Sequence, residues 1–216
     1  MAESDTTICN QALGRVGDKR IVDLDDNSDT KTEAQQCRLH FKPTRDALQR
    51  SHFWVFNKGR AALSQDTNDP DFEYANQFLL PSDFLRYRYK HDGGAASNEI
   101  SVFSFSLETN VDGAKVLLTD EDSVNLVYSK LVTDAAKFDP LFVEVLVLKL
   151  ARKLSVPLSG DDKMTEGIDA DLKPLMKSVR ALDRNEGAGT RQNDQQTWND
   201  SRLGSSLRNR PTVAGS

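Results

Sequence analysis

Apolar residues near the start of the chain recur at three- and four-residue intervals, at Ile8, Cys9, Ala12, Leu13 and Val16. That spacing puts them on one stripe of a helix over Thr6 to Val16, with Asp5 or Thr6 as its cap and Gly17 just past its end. The polar stretch Asp23-Leu24-Asp25-Asp26-Asn27-Ser28-Asp29 follows and leads into Thr30-Lys31-Thr32-Glu33. This last group has the spacing of a capping box and predicts a second helix. The second helix carries its stripe on Ala34, Cys37, Phe41, Thr44 and Leu48 and ends near His52 to Trp54. Pro43 removes one backbone donor and predicts a kink or local loosening. From Lys58 to Pro70 the periodicity is lost and Gly, Ser, Asn, Asp and Pro accumulate, the composition of a long surface connection.

The period then changes to two. Leu85, Tyr87 and Tyr89 alternate with Arg86, Arg88 and Lys90, and Phe103, Phe105 and Leu107 alternate with Ser104 and Ser106. Asn110-Val111-Asp112-Gly113 supplies hairpin turn chemistry before Val116 to Thr119, and Asp120 to Ser123 turns the chain into Val124, Leu126 and Tyr128. The pattern predicts four short antiparallel strands between about 84 and 130 in one small sheet.

Helical spacing returns at Asp139-Pro140, a capping residue followed by proline at the first helical position, where its missing donor costs nothing. Leu141 to Ala151 is apolar on more than one face and predicts the central helix of a bundle, stopped by Val156-Pro157 and Ser159-Gly160. Asp161 or Asp162 caps a last helix with Ile168, Leu172, Leu175, Met176, Val179 and Leu182 on one stripe, bent at Pro174. The expected fold is therefore α+β: mainly a helical bundle (1–57 and 134–184), with a connection and an inserted small antiparallel β domain (58–133), and an extended C-terminal arm (185–216). The arm's only sizeable apolar groups are Trp198, Leu203, Leu207 and Val213, too few to fold without a partner.

Charge narrows the function classes. The 216 residues hold 28 Lys and Arg against 33 Asp and Glu, a net charge of −5. Without a Lys/Arg cluster, such a chain lacks the footprint of a dedicated nucleic-acid binder. No stretch approaches the roughly 20 apolar residues of a membrane helix, and the start Met1-Ala2-Glu3-Ser4-Asp5 does not read as a secretion signal. Cys9 and Cys37 fall in helical apolar patterns and read as free, buried thiols.

Candidate chemistry is sparse. Asp25, Asn27 and Asp29 alternate like the first ligands of a calcium loop, but Thr30 stands where the sharp turn requires Gly and Gln36 where a bidentate Glu must close the site. His40, His52 and His91 form no metal-ligand cluster, and no nucleophile elbow or phosphate loop is present. No metal or other cofactor is expected. Glu144 is the most conspicuous acid, because it sits in an apolar helix where burial would favour its protonated form; an ion pair with Lys149 or Arg152, or a hydrogen bond to the backbone, is the structural alternative. The aromatic group His52-Phe53-Trp54-Val55-Phe56 reads as packing between helices and sheet. Arg86, Arg88 and Lys90 form a small basic stripe, either a solvated face or an approach to a DNA backbone or acidic partner.

Several strings together resemble a known family, the head-to-tail adaptors of tailed bacteriophages, also called tail tubular protein A or gatekeeper proteins. They are Ile8-Cys9-Asn10-Gln11-Ala12-Leu13-Gly14-Arg15-Val16-Gly17 with Arg20-Ile21; Cys37-Arg38-Leu39, Arg45-Asp46-Ala47-Leu48 and Ser51-His52-Phe53-Trp54-Val55-Phe56; Leu80-Pro81-Ser82-Asp83-Phe84-Leu85-Arg86; Phe138-Asp139-Pro140-Leu141-Phe142-Val143-Glu144; and Thr197-Trp198-Asn199-Asp200-Ser201-Arg202. The family usually has Pro where Phe53 stands and Asn where Val55 stands. The resemblance implies a structural protein of the virion, not an enzyme, assembled in the host cytoplasm. Twelve subunits would form a ring at the head–tail junction, between the portal protein and the tail tube or nozzle protein. Genomic DNA would pass through the channel without sequence-specific binding, and acidic residues facing it would keep the DNA sliding. The arm would lie along or between portal subunits, with Trp198 as its anchor, Arg202 and Arg191 reaching portal carboxylates, and Arg208 and Arg210 also in the portal contact. A virion-associated peptidoglycan hydrolase and a DNA-packaging accessory module are the alternative readings.

Overall fold

A computed structural model describes residues 3–91 and 103–187. The fold is α+β. Helices α1 (Asp5–Val16) and α2 (Thr32–Ser51) precede seven strands: β1 (Lys58–Ala62), β2 (Ser64–Gln65), β3 (Asn76–Leu79), β4 (Phe84–Lys90), β5 (Phe105–Thr109), β6 (Lys115–Thr119) and β7 (Asn125–Lys130). A 3-10 turn at Ala135–Lys137 leads into α3 (Pro140–Leu158) and α4 (Asp162–Gly187).

The helix ends show which local signals operate. Ser4 caps α1, its hydroxyl accepting from the Thr7 amide at 3.1 Å, so Asp5 belongs to the first turn instead of capping it. Gly17 closes that helix in the left-handed region at φ 78°, where a side chain would be strained. The capping box expected at Thr30 does not form. Helix α2 begins at Thr32 behind Lys31, whose side chain has no oxygen to accept a capping bond. The preceding loop is held from the side by Arg38, whose guanidinium donates to the carbonyls of Asp26 at 2.8 Å and Asp29 at 2.5 Å. Asp139 caps α3 as expected, its carboxylate accepting from the amides of Leu141 and Phe142. Asp161 accepts from Lys163 at the start of α4.

All four helices contribute to one apolar core, in which Phe142, Val145, Leu146, Leu150, Ala151 and Leu154 of α3 are buried between Ile8, Cys9, Ala12 and Leu13 of α1 and Cys37, Phe41 and Leu48 of α2. Helix α3 is the central one because it packs on each of the others. Both cysteines are free and buried. Ile168 and Val179 carry the buried stripe of α4, whereas Leu182, expected on that stripe, is exposed.

The strands do not form one sheet. They divide into a three-stranded sheet, β1-β7-β4, and a four-stranded sheet, β2-β3-β6-β5, antiparallel throughout. The four strands expected between 84 and 130 are all present, yet β4 and β7 lie in one sheet and β5 and β6 in the other. The Asn110–Gly113 hairpin forms between β5 and β6, with Gly113 at φ 81°. Two further strands, β1 and β2, occupy the expected connection at 58–70. Their Gly, Ala and Ser carry no apolar alternation, and backbone pairing with β7 and β3 makes them strands. Phe78, Phe84, Leu117, Val124, Leu126 and Tyr128 fill a second core between the sheets.

Candidate functional site

The segment between α2 and β1 joins the two cores. Trp54 is buried, its indole nitrogen donating to the Leu48 carbonyl at 3.0 Å and its ring edge-on to Phe142 at 5.1 Å. Phe56 packs against the same Phe142 ring. Packing thus accounts for Trp54 and Phe56, as expected, while Phe53 and Val55 point outward, each about 40% exposed. Gln49, wholly buried, meets Val132 twice: its amide nitrogen donates to the Val132 carbonyl at 2.7 Å and its oxygen accepts from the Val132 amide at 2.9 Å. One side chain thereby closes the return of the chain from sheet to helices.

The basic stripe is not a solvated face. Arg88 is half-buried and donates to the Trp54 carbonyl, to Asn57 Oδ1 at 2.6 Å and to Ser129 Oγ at 2.8 Å. Burial pushes its pKa down from the ordinary arginine value, with the nearby Asp183 opposing that shift. Arg86 lies over the Phe53 ring at 4.2 Å, a cation–π contact, and donates to the Arg50 carbonyl. Lys90 pairs with Glu121 at 2.9 Å. The alternation of β4 identified these cations, but internal acceptors now hold them.

Beside this joint, His52 Nε2 meets Asp183 Oδ2 at 2.9 Å, and the other carboxylate oxygen accepts from the Val55 amide at 2.9 Å. Asp183 therefore ties the last turns of α4 to the helix–sheet junction. Burial lowers the His52 pKa, partly offset by Asp183, and Arg180 and Arg184 lower it further. Those arginines belong to a positive surface on α3 and α4. The Lys149 pKa is lowered by burial and then by Arg180, Lys153 and Arg152, and the His40 pKa by burial and Lys153. Among the described residues, only Arg152 of the five cations Lys149, Arg152, Lys153, Arg180 and Arg184 makes an ion pair, with Asp169, while Asp183 pairs with His52. The i, i+4 spacing of Arg180 and Arg184, and of Lys149 and Lys153, marks this face in the sequence.

A groove of about 590 Å³ lies between α1 and α3. Phe138, Pro140, Val143 and Val147 form its apolar floor, with Glu3, Gln11, Gly14, Arg15 and Glu144 around it. Glu144 is exposed at this rim, not buried in the helix core, and it makes no ion pair among the described residues. The alternative pairing also fails, because Arg152 is engaged by Asp169 while Lys149 faces other cations.

In the loop at 23–29, Asp23 and Asp26 accept backbone amides at Asp25 and Ser28, and among the described residues no group of three His, Cys, Asp or Glu side chains converges on a metal position. No described helix is long and apolar enough to cross a membrane. Arg191, Trp198, Arg202, Arg208 and Arg210 lie outside the described residues. Comparison of the chain with protein-family models and with curated proteins finds no match to either.

Proposed function

We propose that this protein is a head-to-tail adaptor of a tailed phage, a structural subunit of a twelve-membered ring joining portal to tail tube or nozzle and forming part of the DNA exit channel. The observation that carries the reading is where the family-like strings fall. Four of the five make consecutive joints of one framework. Asn10 clamps Ile21 through both backbone groups at 3.0 and 2.8 Å; His52 to Phe56 bridges helices and sheet; Asp83 receives the Tyr128 hydroxyl at 2.9 Å; and Asp139 caps the central helix. On this reading the four helices are the bundle, the sheets are the inserted domain, and the residues after α4 are the arm that meets the portal through Trp198 and its arginines.

Ring closure through a heterologous contact requires two different, complementary faces on each subunit. The acidic loop at Asp23–Asp29 and the cationic face of α3 and α4 supply opposite signs. The test is native mass spectrometry of the chain alone and after mixing with its portal ring. Addition of roughly 289 kDa, twelve copies, is expected for a closed ring. Loss of that addition when the chain ends at Gly187 would assign portal contact to the arm. No association at any ratio refutes the proposal, and release of soluble fragments from cell-wall material would then favour the hydrolase reading. The cationic face gives the DNA-accessory reading its one specific support, and steep salt-dependent retention on DNA would be its signature.

A further inference from the structure

The α1/α3 groove has an apolar floor and a rim carboxylate, Glu144, with no ion pair among the described residues. Its position relative to α4 indicates what covers it. Ser155 meets Thr165 at 2.8 Å and Arg152 meets Asp169 at 2.5 Å, so α3 and α4 run antiparallel, with the first turns of α3 level with the last turns of α4. Those first turns carry Pro140, Val143, Glu144 and Val147, the α3 side of the groove. The chain therefore leaves α4 at Gly187 at the same end of the molecule.

Twenty-nine residues follow Gly187, and Trp198 is the eleventh of them. An extended chain covers about 3.3–3.6 Å per residue, so Trp198 reaches up to roughly 36–40 Å, longer than the whole of α3 at about 28 Å. Residues 188–216 contain Arg191, Arg202, Arg208 and Arg210 against Asp194 and Asp200, a basic excess opposite to the charge of the whole chain. Trp198 is the largest apolar side chain among them, and Arg202 stands four residues on. An aromatic anchor beside a cation complements an apolar floor beside a free carboxylate, and burying an indole removes about 150–250 Å² from water.

We propose that the α1/α3 groove is the docking site of this chain's own C-terminal segment, with Trp198 on the floor formed by Phe138, Val143 and Val147 and Arg202 against Glu144. The contact is intramolecular and does not depend on the adaptor reading. Where that reading holds, Trp198 cannot sit in the groove and on the portal at once, so the groove holds the arm back until a portal displaces it.

The test uses the full chain labelled with 5-fluorotryptophan. Its two tryptophans give two fluorine resonances, assigned by Trp198→Phe. The Trp198 signal is expected away from its position in a labelled 188–216 peptide and shielded from a soluble paramagnetic quencher, independent of protein concentration. Gly14→Leu fills the groove, since a Cβ at Gly14 meets no atom within 4 Å, and Leu is the better helix former. It should return the Trp198 signal to the peptide position and remove the shielding, while the buried Trp54 signal stays put and reports an intact core. Glu144→Lys, at an exposed position, should do the same through charge. A wild-type Trp198 signal already at the peptide position overturns the proposal. So does shielding that survives both substitutions, or shielding that appears only as concentration rises, which would place the segment on another copy. Portal association measured on the same variants separates the two readings, because a failed adaptor reading abolishes it in all of them without moving the Trp198 signal.

Discussion

Replacing Arg88 with Met keeps a long, flexible side chain of similar reach and removes every donor. The Trp54 carbonyl, Asn57 Oδ1 and Ser129 Oγ then lose their shared partner. A hydrogen bond from a charged donor contributes about 1.5–3 kcal/mol, but Arg88 is only half-buried and water can reach part of the vacated space. A net loss of about 3 kcal/mol follows, and for a chain of this length that lowers the melting temperature by roughly 6–12 °C. Arg86→Met is the internal comparison. Its guanidinium rests on Phe53 and makes one long hydrogen bond of 3.3 Å, so about 0.5–1 kcal/mol is expected. Differential scanning calorimetry of the two variants gives the answer, with Arg88→Lys in between because an ammonium cannot reach three acceptors in a fork. If Arg88→Met melts within about 1 °C of wild type, or no lower than Arg86→Met, the joint is not held as described and the stripe is an ordinary surface.

Gly59→Ala should destabilise by about 1–3 kcal/mol, read from the urea midpoint, because a Cβ there would stand 2.8 Å from the Tyr128 ring across the β1–β7 pair; measured against Tyr128→Val as the parent, the same substitution should cost little. Gln49→Met leaves both backbone groups of Val132 unpaired in the core and should cost about 2–4 kcal/mol by the same measurement. Stability should fall as pH drops from 7 through the ordinary histidine range. The folded-state pKa values of His52 and His40 are depressed, so the unfolded chain binds more protons there, and melting curves of the His40→Gln/His52→Gln double variant should be flatter across that window. Asp139→Ala should cost about 1 kcal/mol through loss of the α3 cap, which thermal melting would register.

The helices were legible because their information is local. Three- and four-residue apolar spacing, Gly17 past α1 and Asp139-Pro140 before α3 act within one or two turns and place the four helices, although Ser4 caps α1, α2 starts without its capping box and α3 runs through Pro157 to Leu158. The β5–β6 hairpin was legible for the same reason, since Asn110 to Gly113 carries its turn within the loop. Strand partnership was not legible. Nothing in Lys58 to Ala62 announces a strand, because Gly59 is required by the Tyr128 ring opposite it and the alanines face Leu126 and Asn125, all residues far along the chain. Among the site residues, the cations of β4 could be listed from their alternation, but not that Arg88 would be consumed by the Trp54 carbonyl, or that Glu144 would face a groove instead of a core.

What the chain determined by itself is the set of helices, most of their buried positions and the free cysteines, all consequences of residue type and near neighbours. Only the tertiary structure decided which strands share a sheet, that Gln49 ties the chain leaving β7 to α2 and Arg88 ties β4 to the segment after α2, and that α1 and α3 leave a groove level with the end of α4. Those outcomes depend on contacts between residues distant in the chain, where shape and desolvation select one partner among many of the same chemistry.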